Sequence, residues 1–309
     1  MIDVEGLTKQ FGDVYAARGL SFRAQPGEVF GLLGPNGAGK STTIGCICGL
    51  LSPTSGRVAV LGHDVRTEGV ASRRELGVVP QELAIYEDLS ATENLRYWGG
   101  AFGLRGADLQ RRVAEVLEQI GLLDRAREPA KQFSGGMKRR LNFGCALVHA
   151  PRVLLLDEPT VGVDPQSRVR LLDLVREQAK AGVTVLYTTH YMEEAESLCD
   201  RLAIVDHGEI VAQGTLAELR GLIGERDVLR LVGVFEPDRV QRDLSQIDGV
   251  EVVQADATAL RLAVVGASAK LPALFAALAA AGATVRETTM TQPNLESLFI
   301  KLTGKELRE

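Results

Sequence analysis

A chain of 309 residues carries 35 Lys and Arg against 40 Asp and Glu, a formal charge of −5. With a pI near 5.6, that balance excludes a general nucleic-acid binder, which needs an excess of cations, and 45% hydrophobic residues exclude wholesale disorder. Aromatics at 5% beside 33 glycines favour α/β layers with tight turns over an aromatic-rich β-sandwich.

Residues 3–9 and 14–24 alternate apolar and polar positions around Phe11-Gly12-Asp13 and predict two strands joined by a turn. After a second turn at Pro26-Gly27, Val29 to Leu33 is a short apolar run of the kind that forms a buried strand. A Gly-rich loop then leads into a helix-compatible run from Lys40 to Leu50. From Leu83 to Ala150 the periodicity is mostly helical; within Arg111–Gly121, for example, Val113, Val116, Leu117 and Ile120 share one face. Val153–Leu156 predicts another buried strand, Ser167–Ala181 a helix, Val183–Thr188 a strand, and Leu202–Val205 with Glu209–Ala212 a strand pair across His207-Gly208. Apolar strands alternating with helices predict a mostly parallel sheet with an inserted helical subdomain.

The pattern shifts near Gly221–Arg226. Beyond it the expected order is strand 227–234, helix 237–247, strands 249–255 and 258–265, helix 269–281, strand 283–290 and a closing helix 294–302. That β-α-β-β-α-β order fits a small ferredoxin-like unit with an added helix. The longest apolar run, Leu271 to Ala283, falls short of the roughly 20 residues a membrane span needs. The start Met1-Ile2-Asp3-Val4-Glu5 lacks the basic-then-apolar pattern of a signal peptide, so a cytoplasmic chain is expected unless a partner holds it at a membrane. Cys46, Cys48, Cys145 and Cys199 form no C-x-x-C pair and are expected as buried free thiols rather than a zinc site or a disulfide framework.

The loop Gly34-Pro35-Asn36-Gly37-Ala38-Gly39-Lys40-Ser41 fits G-x-x-x-x-G-K-[ST]. Its glycines let successive N–H groups point inward at phosphate oxygens, and the helix after Gly39 aims its N-terminus at the same anions. Lys40 would reach the β- and γ-phosphates and the Ser41 hydroxyl would bind Mg²⁺. A Gly-rich turn that merely caps a helix has no need of Lys followed by Ser. The apolar strand Val153–Leu156 ends in Asp157 and Glu158. Acids commonly occupy solvated strand ends, but ligands of open α/β sheets also sit there. On a sheet that carries the phosphate loop, Asp157 can orient Mg²⁺ and Glu158 can act as base or positioner for an attacking water. These elements predict a Mg²⁺-nucleotide phosphohydrolase.

A second element, Phe133-Ser134-Gly135-Gly136-Met137, opens a long helical run. It reads either as an ordinary N-cap with a flexible lead-in or as a second anion-binding helix start. One nucleotide does not need two such starts in one chain, so the second would serve a nucleotide held by another copy.

In this combination the chain resembles the nucleotide-binding subunit of an ABC transporter over residues 1 to about 222. Residues 34–42, through Thr42, resemble Walker A, and 153–158 resemble Walker B with its catalytic glutamate. Residues 133–137 resemble the LSGGQ signature, Gln81 the Q-loop, Val161–Asp164 the D-loop and His190 the switch histidine, while Phe11 falls where the family places its adenine-stacking aromatic. Met137 stands in place of the usual Gln, Phe11 in place of the commoner Tyr, and Val163 in place of Leu. The resemblance implies a P-loop NTPase fold of the α/β class, with a RecA-like core, an antiparallel β subdomain and a helical subdomain near 85–150; the pattern read beyond it adds the small α+β ferredoxin-like unit at 223–309. The resemblance also implies ATP and Mg²⁺, the ion held by Ser41, Asp157 and Gln81, with Lys40, Glu158 and His190 catalytic. Two copies would form a head-to-tail sandwich, each ATP lying between one copy's 34–42 loop and the other's Ser134, Gly135, Gly136 and Asp164.

The contexts Gly136–Leu141 and Asp157-Glu158-Pro159-Thr160, with the ending Gln292–Phe299, resemble the ABC-2 exporter branch. That resemblance implies integral permease partners and a peripheral position on the cytoplasmic face of the cell membrane, while the acidic balance disfavours a nucleic-acid partner. A soluble ABC ATPase and an importer subunit with a ligand-sensing tail are the alternatives. Residues 223–309 read as an accessory or dimer-contact module, or as a regulatory domain.

Overall fold

Residues 1–223, 226–291 and 295–303 are described by a computed structural model, and they fall into two units divided between Leu216 and Ala217. In the first unit, β1 (Ile2–Phe11) and β2 (Val14–Ala24) form the expected antiparallel pair, turning at Gly12 with φ +57°. Their inward residues Ile2, Val4, Leu7, Ala17, Leu20 and Phe22 are buried, as a half-covered sheet with period two requires. β3 (Val29–Leu33) is buried at every position. α1 (Lys40–Ile47) stops at Ile47 rather than Leu50, because Gly49 takes φ +76° and turns the chain away. β4 (Ser55–Val60) and the short β5 (His63–Asp64) complete the first sheet in the order β2-β1-β4-β5, and α2 (Gly69–Arg74) follows.

Between β6 (Leu76–Val79) and the next strand lie α3 (Ala91–Ala101), α4 (Gly106–Gln119) and α5 (Gly135–Leu147). The stretch is less helical than its periodicity predicts. Residues 81–89 form a loop, and two 3-10 turns, Leu123–Arg125 and Ala130–Gln132, separate α4 from α5. Two buried amides replace helical bonds in that loop. Asn94 Nδ2 donates to the carbonyls of Tyr86, Leu89 and Ser90, and Asn142 Oδ1 accepts from Ala84 N–H. α3 opens on a capping box in which Ser90 and Glu93 satisfy each other's backbone N–H groups. α4 buries Val113, Val116 and Leu117, with Ile120 buried just beyond it, which is the face read from the sequence.

β7 (Val153–Asp157), α6 (Pro165–Lys180), β8 (Thr184–Thr189), α7 (Met192–Leu198), β9 (Arg201–Asp206) and β10 (Glu209–Thr215) finish this unit. The second sheet runs β10-β9-β3-β8-β7-β6 and is parallel except for the β9–β10 pair. β3, β7 and β8 are wholly buried because elements cover both faces. In register, Leu33 pairs with Thr189 and Asp157 with Thr188. The carboxyl ends of three neighbouring strands therefore deliver their loops to one place, where open α/β sheets hold ligands.

α8 (Leu216–Ile223) begins at the division. The second unit contains β11 (Arg226–Val234), α9 (Pro237–Leu244), β12 (Val250–Ala255), β13 (Ala259–Val265), α10 (Ala267–Ala280), β14 (Thr284–Thr291) and α11 (Leu295–Thr303). Its antiparallel sheet, ordered β12-β13-β11-β14, has the ferredoxin-like topology expected from the β-α-β-β-α-β pattern. Leu229, Leu231, Leu260, Leu262 and Val264 pack with Val240, Leu244, Leu274 and Leu278 into its core. Gln292, Pro293 and Asn294, which open the tail resemblance, lie outside the described residues.

Candidate active site

The loop 34–39 leaves β3 and ends in Gly39 at φ +103°, immediately before α1. A Cβ at Gly39 would collide with the Ala16 carbonyl oxygen, and one at Gly34 with the Val205 carbonyl oxygen, so both positions demand glycine on packing grounds. The loop is braced from behind, where Gly208 N–H donates to Ala38 O at 3.1 Å. Pro35 and Thr42 are half-buried, and Asn36 and Gly37 are exposed. Lys40 is 4% exposed and folds back over the loop. Its Nζ donates to Gly34 O at 2.7 Å and Pro35 O at 3.0 Å, and it pairs with Glu158 Oε1 at 2.9 Å.

β7 delivers the acids. Asp157 Oδ1 accepts from Ser41 Oγ at 3.1 Å and from Thr188 Oγ1 at 2.7 Å. Glu158 sits at φ +44°, a left-handed conformation that costs a non-glycine residue about 1–3 kcal/mol. Two bonds hold it there, from its N–H to Thr188 Oγ1 at 3.0 Å and to Thr188 O at 3.2 Å. The turn aims its buried carboxylate between two side chains: Oε1 meets Lys40 Nζ, and Oε2 meets His190 Nδ1 at 3.0 Å. Side-chain contacts thus join Ser41 to Asp157, and Lys40 and His190 to Glu158, although these residues were predicted from motifs far apart in the chain.

Thr188 is a member of this cluster that motif reading missed. It is fully buried and bridges the two acids. Its signal in the sequence was its place two residues before His190 at the end of an apolar strand.

The remaining predicted residues lie apart from this cluster. Gln81 is exposed after β6, and among the described residues no hydrogen bond joins its side chain to Ser41 or Asp157. Its carbonyl accepts from Arg139, whose other arm donates to Val161 O at 3.2 Å. Phe11 is 47% exposed at the end of β1, with Lys9 Nζ 4.7 Å from its ring centroid. Ser134 N-caps α5 by accepting from Met137 N–H at 3.3 Å. Gly135 faces open space, but a Cβ at Gly136 would strike the Ser167 side chain. Asp164 N-caps α6, accepting from Ser167 N–H at 3.0 Å, and these bonds to Ser167 hold its carboxyl below the usual pKa. Among the described residues, no hydrogen bond joins 134–136 to 34–42 within one chain.

The donor set suits a hard cation. Ser41 and Asp157 offer neutral and anionic oxygens side by side, and no group of three or more His, Cys, Asp or Glu among the described residues forms a closed cage. Such a partial set fits Mg²⁺ shared with phosphate oxygens and water. The same unit carries an apolar groove of about 320 Å³ beside the 81–89 loop, lined by Leu50, Leu76, Val78, Trp98 and Phe102 among others.

Comparison with known proteins agrees with this geometry. The family model described as "ABC transporter" matches residues 17–161. The chain is 43% identical over 314 residues to the linearmycin resistance ATP-binding protein LnrL of Bacillus subtilis, covering 100% of both chains. It is 40% identical to the daunorubicin/doxorubicin resistance ATP-binding protein DrrA of Streptomyces peucetius, over 98% of this chain and 92% of that one. It is 36% identical to the Nod factor export ATP-binding protein I of Sinorhizobium fredii, over 100% and 87%. Among solved structures, an ATP-binding subunit of an ABC transporter superposes with TM-score 0.67 at 33% identity, over 72% of this chain and 93% of that one. A dimeric ATP-binding cassette in a post-hydrolysis state with ADP and Pi superposes with TM-score 0.64 at 26% identity, over 70% and 99%.

Proposed function

The chain belongs to the ABC transporter ATP-binding subunits, and from that membership we propose how its residues perform ATP hydrolysis coupled to an ABC-2 type exporter. The observation that carries the proposal is the Glu158 carboxylate, held on a strained strand end with Lys40 on one oxygen and His190 on the other.

Lys40 has two competing claims on its charge, the carboxylate of Glu158 and the terminal phosphates of ATP. As phosphate oxygens take Lys40, Glu158 loses its counter-ion and becomes free to accept a proton from the attacking water. His190 keeps its bond to Glu158 and orients the base. The amides of 34–39 and the start of α1 hold the phosphates, and Phe11 offers a ring face to adenine. Ser41 and Asp157, with Gln81, would hold Mg²⁺. Such an ion would supply positive charge to offset that of the nucleotide's phosphates.

Ser134, Gly135 and Asp164 are exposed at two helix N-termini, with Gly136 buried beside them, and these are the residues we assign to the nucleotide of a second copy. A head-to-tail homodimer then closes on ATP and opens after hydrolysis. The groove beside the 81–89 loop receives the cytoplasmic segment of an integral permease. No helix among the described residues is long and apolar enough to cross a membrane; held by its permease partner, the subunit is placed peripherally on the cytoplasmic face. Residues 1–222 form the cassette and 223–309 an accessory or dimer-contact module; no nucleic-acid partner is invoked.

The test is oligomeric state with nucleotide. Glu158→Gln retains the hydrogen-bonding shape but removes the base, and it should run as an ATP-bound dimer on gel filtration. Lys40→Ala should lose nucleotide binding. A Glu158→Gln variant that stays monomeric at saturating ATP would refute the sandwich, and unchanged ATP affinity in Lys40→Ala would refute the site.

A further inference from the structure

We infer that Glu194 is a positioning residue that holds His190 against Glu158, with Arg168 setting the orientation of its carboxylate; this rests on the role proposed above for His190. Glu194 lies on α7, is 3% exposed and belongs to none of the motifs so far considered. A carboxylate that deep must be compensated by its neighbours. Its Oε2 accepts from the Tyr187 hydroxyl at 2.8 Å and from the Thr189 hydroxyl at 3.0 Å. Its Oε1 faces Arg168 Nε at 3.5 Å, an ion pair without hydrogen-bond geometry.

The alternation of β8 turns these contacts into leverage. Successive side chains of a strand point to opposite faces, so Tyr187 and Thr189 project together and Thr188 projects the other way. Glu194 grips the first pair. Thr188 bonds Asp157 and the Glu158 N–H, and His190, next along the chain, bonds the Glu158 side chain. The Thr189 hydroxyl also accepts from Tyr191 N–H at 2.9 Å, so one carboxylate steadies the backbone on both sides of His190. Burial and the neighbouring Glu194 drive the Tyr187 hydroxyl well above its ordinary pKa, which keeps it a donor.

Arg168 adds a second grip. Its guanidinium carbon lies 4.8 Å from the Tyr191 ring centroid, and that ring lies 4.2 Å from the His190 ring. Arg168 follows Ser167, which packs on Gly136 and bonds the Asp164 cap. The surface assigned to a second copy is therefore linked to His190 through one arginine and one glutamate.

The experiment compares Glu194→Gln, Arg168→Met and His190→Ala in the full chain. Glu194→Gln keeps the side-chain shape but presents no charge to Arg168. Expected is a kcat lower by about ten- to a hundredfold, as a small misplacement near the chemistry produces, with the ATP KM within about twofold. The His190 imidazole NMR signal, assigned by its absence in His190→Ala, should shift. Arg168→Met leaves both hydroxyl bonds in place and should move the same readouts less far; it decides the matter if thermal melting shows Glu194→Gln unfolded at the assay temperature. Unchanged kcat with an unmoved His190 signal, or kcat and ATP affinity falling together, overturns the inference. Should His190→Ala be inactive while Glu194→Gln is fully active, the inference alone falls. Should His190→Ala hydrolyse ATP at the wild-type rate, the role proposed for His190 falls with it.

Discussion

Replacing Thr188 by Val tests whether the two acids act as a unit. Valine has nearly the same shape, and Thr188 is fully buried, so no cavity opens. What disappears is one hydroxyl with two bonds: the donation to the Asp157 carboxylate at 2.7 Å and the acceptance from Glu158 N–H at 3.0 Å. The first is charge-assisted and contributes about 1.5–3 kcal/mol; the second contributes about 1 kcal/mol. Glu158 N–H keeps the Thr188 carbonyl at 3.2 Å, so it is not orphaned and the second loss is partial. The sum is roughly 2–4 kcal/mol, which lowers the melting temperature of a unit of this size by roughly 4–15 °C. Asp157 also loses the bond that fixes its direction toward Ser41. The apparent Mg²⁺ requirement of ATP hydrolysis should therefore rise about tenfold or more, as for loss of a bond that orients a metal ligand. Thr188→Ser keeps the hydroxyl and should restore the Mg²⁺ dependence. A valine variant that melts early but shows a wild-type Mg²⁺ titration would refute the reasoning, because it would make Thr188 a core residue with no hold on the site.

Three further outcomes follow from particular contacts. Gly136→Ala places a methyl against the Ser167 side chain and should weaken ATP-dependent dimerisation and lower the melting temperature, whereas Gly135→Ala meets open space and should melt within about 2 °C of wild type; gel filtration and calorimetry distinguish them. The Asp164 carboxyl is held below its usual pKa by its bonds to Ser167. A depressed acid stabilises the fold above its unfolded pKa, about 3.9, and that contribution is lost as pH falls through the lower folded value. The difference in melting temperature between wild type and Asp164→Ala should therefore persist at neutral pH and vanish in strong acid. All four cysteines are free and buried. Desolvation pushes Cys46 up to about 11 and raises Cys48, Cys145 and Cys199. Iodoacetamide at pH 8 should leave the native chain unlabelled and modify four thiols in urea, read by mass spectrometry.

How much of the fold was legible depended on how long each apolar signal ran. β3 and β7 announced themselves because both their faces are covered and every position is buried. β4 did not, since its burial is confined to Val58, Ala59 and Val60 while Ser55–Arg57 are exposed. α7 escaped notice because Met192–Leu198 is too short to establish a helical period. In the Leu83–Ala150 stretch the periodicity overstated the helix. Asn94 and Asn142 take up the backbone groups of a loop, a tertiary arrangement that no local pattern encodes.

The site divides along the same physical line. The motif residues were legible because glycine at a left-handed phosphate loop, or an acid at the end of an apolar strand, is demanded by the chemistry of phosphate and Mg²⁺. Thr188 and Glu194 were not, because a threonine in a strand and a glutamate in a helix are ordinary residues until the fold places partners opposite them. Their importance comes from depth. In water the Thr188–Asp157 bond would compete with solvent and contribute little; at full burial it fixes where a carboxylate points. The Lys40–Glu158 pair follows the same logic: at 4% and 6% side-chain exposure its charges are poorly screened, so drawing Lys40 away leaves a carboxylate that only a proton or another cation can compensate. In the mechanism proposed above, phosphate binding and activation of the base would be two sides of one exchange of counter-ions.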